Sequence, residues 1–165
     1  MNILKSRTRS YLLLLSLSLL SISPLTSLSG ADFQPSNAEA QRAVEKALQS
    51  VAQQMAASGG ELIPVGFVLP ASEAEKKRGW QEQFVAVPSA TVVPDFRQKA
   101  LKELQTNSAA LLAGKHIEGY FIIYEKDKQL HLISQEKDGA EKRFTAAYPS
   151  RAEVKNLKIS DFKAK

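Results

Sequence analysis

Between Ile117 and Tyr148 the chain alternates short apolar runs with polar turns. Ile117-Glu118-Gly119-Tyr120-Phe121-Ile122-Ile123-Tyr124 is followed by a charged turn and then by Gln129-Leu130-His131-Leu132-Ile133-Ser134. A second turn containing Asp138-Gly139 leads into Ala140 to Tyr148. β-Branched and aromatic runs separated in this way predict a three-stranded antiparallel meander. Alternation puts Ile117, Gly119, Phe121 and Ile123 on one face and Tyr120, Ile122 and Tyr124 on the other. A three-residue loop, Lys137-Asp138-Gly139, sets Glu136 opposite Ala140 and Leu132 opposite Phe144, with Gly139 at positive φ. A slip of one residue would turn the whole apolar set to the wrong face.

Upstream, the period changes. Ser36 and Glu39 have capping-box spacing, and Val44, Leu48, Val51 and Met55 follow at intervals of four, three and four, predicting a helix that Gly59-Gly60 ends. Glu61 to Leu69 reads as a strand. Pro64 implies an edge or a bulge there, and Gly66 a bulge or close backbone approach. Ser72 to Gly79 is a charged loop closed by Trp80, and Gln81 to Val87 a second strand. After a loop from Pro88 to Pro94, Asp95 caps a second helix carrying Leu101, Leu104, Leu111 and Leu112 on one face, with Gly114 as its terminator. Pro149 to Glu153 repeats the capping-box spacing and begins a short last helix. The order is α-β-β-α-β-β-β. It predicts an α+β, two-layer domain, a five-stranded antiparallel sheet with both long helices on one face.

The N-terminus changes the picture of address. Lys5, Arg7 and Arg9 precede an uncharged Leu/Ser run from Tyr11 to Ile22, Pro24 breaks it, and Ser29-Gly30-Ala31 supplies small residues. This is the three-part pattern of a secretory signal peptide over residues 1–31, cleaved after Ala31 or a few residues before it. The apolar run is too short to span a bilayer, so contact with the membrane is expected only in transit. Residues 32–150 then form the domain and 151–165 a short helix or basic tail. The formal charge of +5 falls to +2 once Lys5, Arg7 and Arg9 are removed, so the basicity is in part a targeting feature and does not call for nucleic acid. There is no cysteine in the chain, hence no disulfide and no thiolate chemistry. A disulfide-free exported domain fits a bacterial periplasm or exterior.

Glu61 to Leu69, the helix ending Leu111-Leu112-Ala113-Gly114, and the close at Ala147-Tyr148-Pro149 resemble small bacterial αββαβββ domains over about Ser36 to Pro149. Those domains tend to carry a Gly-x-Leu-x-Pro-Phe strand and to finish in Pro-Tyr; here Val65 stands in place of the aromatic and the last pair reads Tyr-Pro. The element order is also similar to roadblock/longin-like and profilin-like folds. These resemblances imply a fold and no activity.

The chemistry-bearing residues do not converge. His116 and His131 are fifteen apart, and Glu118 or Glu125 adds no recognisable ligand spacing, so no metal site is expected. Ser134 and Lys137 have Ser-x-x-Lys spacing, but they span a strand end and a turn, where their side chains diverge. No catalytic residue and no cofactor follows from the sequence. One group stands out: Tyr120, Ile122 and Tyr124, beside His131 and Ile133, on the face expected to be open. A face with helices on one side only should be polar there. These five residues are therefore the expected interaction face, with the segment containing Leu157, Ile159 and Phe162 as an alternative cover. The function expected is a non-catalytic protein-interaction module, inhibitor- or immunity-like, whose partner is another protein or a second copy. The alternative is a small extracytoplasmic enzyme or ligand carrier with its site between sheet and helices.

Overall fold

The computed structural model describes residues 31–57, 62–79, 82–84 and 95–165. The chain is an α+β domain. Helix α1 (Ala38–Ala57) precedes β1 (Val65–Pro70), the short α2 (Glu73–Lys77) and β2 (Glu82–Phe84). Helix α3 (Phe96–Ala113) then leads into the meander β3 (Ile117–Lys126), β4 (Gln129–Glu136) and β5 (Lys142–Ala147). These five strands form one antiparallel sheet in the order β2-β1-β3-β4-β5, and a two-residue β6 (Lys163–Ala164) adds outside β5. The expected ends of the first helix at Gly59-Gly60, Trp80, the far end of the second strand, the loop from Pro88 to Pro94 and the leader lie outside the described residues.

The two main helices pack on opposite faces of the sheet, not on one. Ala40, Val44, Ala47, Leu48, Val51 and Met55 of α1 share a core with Phe67, Phe121, Ile123, Leu132 and Phe144. Leu104 of α3, with Leu101, Leu111 and Leu112, packs on Val68, Ile117, Tyr120, Ile122 and Ile133. Residues 120–123 of β3 are all buried, so both of its faces are covered and the molecule has three layers. A strand buried on both sides reads as a continuous apolar run, which Tyr120-Phe121-Ile122-Ile123 is.

The meander has the expected register. Leu132 faces Phe144 and Ser134 faces Lys142. The left-handed residue of that loop is Asp138 (φ 61°), however, not Gly139. Gly139 is there for proximity: its N–H donates to the Glu136 carbonyl at 3.0 Å, and a Cβ would lie 3.2 Å from that oxygen. The β3–β4 turn holds Asp127 (φ 53°) and Lys128 (φ 58°) between the paired Lys126 and Gln129, a two-residue turn of the twist-matched kind. The irregularity expected near Pro64 sits elsewhere. Pro64 precedes β1, which lies inside the sheet, and pairing shifts between Leu69 and Pro70, where β3 skips Glu118.

Helix ends depart from expectation for local reasons. Asn37, not Ser36, caps α1, its Oδ1 accepting from the N–H groups of Glu39 (2.9 Å) and Ala40 (2.8 Å). Asn37→Ala is expected to cost about 1 kcal/mol in urea unfolding and Ser36→Ala under about 0.5 kcal/mol. The segment read as a charged loop contains α2, capped by Ser72, whose hydroxyl accepts from Glu75 N–H. Asp95 occupies the α3 N-cap at φ 73° without a side-chain bond. At the other end Lys115 takes the left-handed conformation (φ 59°), and the N–H groups of Lys115 and His116 return to Leu112 and Leu111. That is the Schellman arrangement, one residue beyond Gly114.

The C-terminal stretch is part of the domain. Two 3₁₀ turns, Arg151–Asn156 and Ile159–Asp161, follow β5, and Ser150 makes no side-chain cap. Val154 and Phe162 are buried in the α1-side core. A boundary at residue 150 therefore cuts through that core, and this segment covers the α1 face rather than the opposite one.

Candidate binding groove

The residues expected to form an open interaction face are largely covered. Tyr120, Ile122 and Ile133 lie under α3 with at most 1% of their surface exposed. The Tyr120 hydroxyl donates to Gln135 Oε1 at 2.9 Å and lies 3.3 Å from Glu141 Oε2; burial first, then the Glu141 charge, pushes its pKa up to about 12. Tyr124 is half-buried and stacks on His131 at 4.9 Å between ring centroids. Burial raises the Tyr124 pKa. Burial also holds His131 below its ordinary value, helped by the charges of Lys165 and Lys126 against the pull of the Lys126 carbonyl. That carbonyl is 3.3 Å from Nε2 and accepts a bond when the ring proton sits there. The five residues are thus together on one face, but as core and its margin, not as an open patch.

An apolar opening lies on the other side, between α1 and the C-terminal segment. Along α1 the buried stripe is flanked by Gln41, Glu45, Gln49, Ala52, Gln53 and Ala56, which face outward at helical spacing. The opposite wall is Val154 to Ser160, carrying Lys155 and Lys158. Phe33, Leu48, Leu157 and Ile159 contribute apolar surface between the walls, and the space measures about 890 Å³. The Gln41 amide donates to Glu45 Oε1 at 2.9 Å. Asp32, Phe33, Gln34 and Pro35 also line this opening, held against the C-terminal segment. Phe33 N–H donates to the Phe162 carbonyl and Ala164 N–H to that of Ala31, both at 2.9 Å, while Lys163 Nζ lies 2.6 Å from Asp32. The Phe33 ring packs edge-on against Phe144 and Phe121.

Glu125 fixes the second wall. Although it lies next to the end of β3, its side chain is only 9% exposed. It accepts from Leu62 N–H (2.9 Å), from Arg151 (2.8 Å) and from the Tyr148 hydroxyl. Burial alone would raise its pKa; the Tyr148 hydroxyl, the Leu62 N–H and Arg151 outweigh that and hold it below the ordinary value. Burial and the Glu125 charge push Tyr148 up to about 12. The carboxylate thereby ties the entry to β1, the end of β5 and the first 3₁₀ turn to one point. No spacing motif marks this; the only sequence signal is an acidic residue closing a buried strand, with Tyr148 and Arg151 far along the chain.

A second opening of about 930 Å³ lies by the β4–β5 loop, where Lys137, Asp138, Glu141, Lys142 and Arg143 mix both signs of charge. Near the start of β3, Glu75 takes Arg78 at 3.0 Å and faces His116 Nδ1 at 3.5 Å, while its Oε2 is buried without a hydrogen bond. No group of three metal-ligating side chains occurs among the described residues. No protein-family model, curated protein or solved structure matches the chain.

Proposed function

We propose that the protein is an exported, non-catalytic interaction domain that receives a segment of another protein in the groove between α1 and the C-terminal segment. The observation that carries this reading is the groove itself. Its volume of about 890 Å³ and its apolar interior with polar rims have the character of a binding site, on a rigid helix and an anchored segment. The three-part leader pattern supports export to the periplasm or exterior. The test fills the groove. Ala52 is half-buried on the α1 wall. Ala52→Trp is expected to shift the melting temperature by no more than a few degrees, as partly exposed substitutions do, and to abolish capture of a partner from an extracytoplasmic extract. Quantitative mass spectrometry of the two eluates decides it. Equal capture by both proteins would remove the groove from the interaction.

A further inference from the structure

Resting on that reading, we infer that the occupant is an extended peptide segment with apolar side chains at alternate positions and a carboxylate directed at the C-terminal wall. Three features of the groove set its chemistry. Glu45, Gln49 and Gln53 repeat every four residues along the α1 rim. That spacing is about 6 Å along the helix, close to the two-residue repeat of about 6.7 Å in an extended chain. Gln49 and Gln53 make no side-chain hydrogen bond among the described residues. Each amide offers both a donor and an acceptor, which is what one edge of an extended backbone presents.

The second feature is the apolar surface of Leu48, Ala52, Leu157 and Ile159, which suits the inward side chains of such a strand. The third is charge. Lys155 and Lys158 stand on the opposite wall with no ion pair among the described residues; of the two acidic groove residues Asp32 is paired with Lys163, while Glu45, on the α1 rim, accepts from the neutral Gln41 amide and keeps its charge. On the C-terminal wall the unmet charge is positive, so the complementary group on the occupant there is a carboxylate. A second copy presenting the same groove would set one concave surface against another and enclose a void, which the close packing of real interfaces excludes. An acyl chain would fill the apolar floor and leave the glutamine row idle.

The experiment uses the mature chain, a displayed library of random seven-residue peptides and, as a separate arm, a fluorescent sixteen-carbon fatty acid. The wild type is expected to enrich peptides with alternating apolar positions and at least one Asp or Glu, and Ala52→Trp to enrich none of them. Lys155→Glu with Lys158→Glu should weaken the best acidic peptide by about tenfold or more and turn the selection toward Lys- and Arg-bearing peptides. Enrichment that survives Ala52→Trp places binding elsewhere and defeats the groove reading. Enrichment that needs the groove but is indifferent to the lysine reversals defeats only the carboxylate inference. Saturable fatty-acid binding that Ala52→Trp blocks, with no peptide enriched, overturns the peptide occupant in favour of a lipid carrier.

Discussion

Glu125→Ala is expected to lower the stability of the domain by about 3–5 kcal/mol, the cost of breaking a buried ion pair. The lower half of that range applies, because Arg151 is itself 31% exposed and retains some solvation. What is left behind matters more than what is removed. Leu62 is 1% exposed, so its N–H, which donates to Glu125, would be stranded, and a buried donor without a partner is expensive. Tyr148 and Arg151 would lose the same acceptor, and with them the anchorage of the groove wall. Glu125→Gln keeps an oxygen for Leu62 and should cost about half as much, since hydrogen bonds to a charged group are the stronger kind.

The pH dependence has a definite sign. The Glu125 pKa is lower in the folded state than its ordinary 4.5, so the unfolded chain takes up the proton first. Its contribution is complete above pH 4.5 and is lost as the pH falls through the folded value. His131, held below 6.5 in the fold, adds an earlier loss as the pH drops through 6.5. Chemical unfolding of wild type and Glu125→Gln between about pH 2 and 7 separates the two, because only the lower phase should vanish in the variant. Parallel curves throughout would show that Glu125 titrates alike in both states.

Local pattern made much of this fold legible. The meander, its register and the long helices follow from periods of two and 3.6 residues and from turn residues, all of which act over a few positions. The layering was not legible in the same way. A leucine stripe on α3 shows that one side of that helix is buried but does not state which face of the sheet it meets. The apolar run of β3 answers that question, because a strand with one open face does not carry Tyr120 and Ile122 as well as Phe121 and Ile123. Read as evidence of burial on both sides, it would have placed α3 correctly. The groove and its Glu125 anchor were beyond local pattern, since they join α1, β3 and the C-terminal segment across more than a hundred residues of chain. A carboxylate on a strand end looks the same in the sequence whether it faces water or three donors.

Tyr120 carries the sharpest test of that layering. Tyr120→Ser is expected to cost about 3–5 kcal/mol, as other large-to-small aromatic truncations in cores do. The ring is 1% exposed and packs in the cluster that holds Leu104 of α3 against Val68, Ile122 and Ile133. Removing it leaves a cavity that a helix and a sheet, both rigid, fill poorly. Tyr120→Phe separates packing from polarity. It keeps the ring and gives up only the hydroxyl's contacts with Gln135 and Glu141, so about 1 kcal/mol is expected. In thermal melting the serine variant should fall by roughly 10 °C or more and the phenylalanine variant by a few degrees, given the roughly four degrees per kcal/mol that lies between the values for smaller and larger domains. Tyr124, half-buried at the margin of the same face, should respond less to serine than Tyr120 does. If both serine variants melt within a few degrees of wild type, α3 does not seal this face in solution. Tyr120, Ile122 and Ile133 would then be open to a partner, and the contact surface would move from the groove to the opposite side of the sheet.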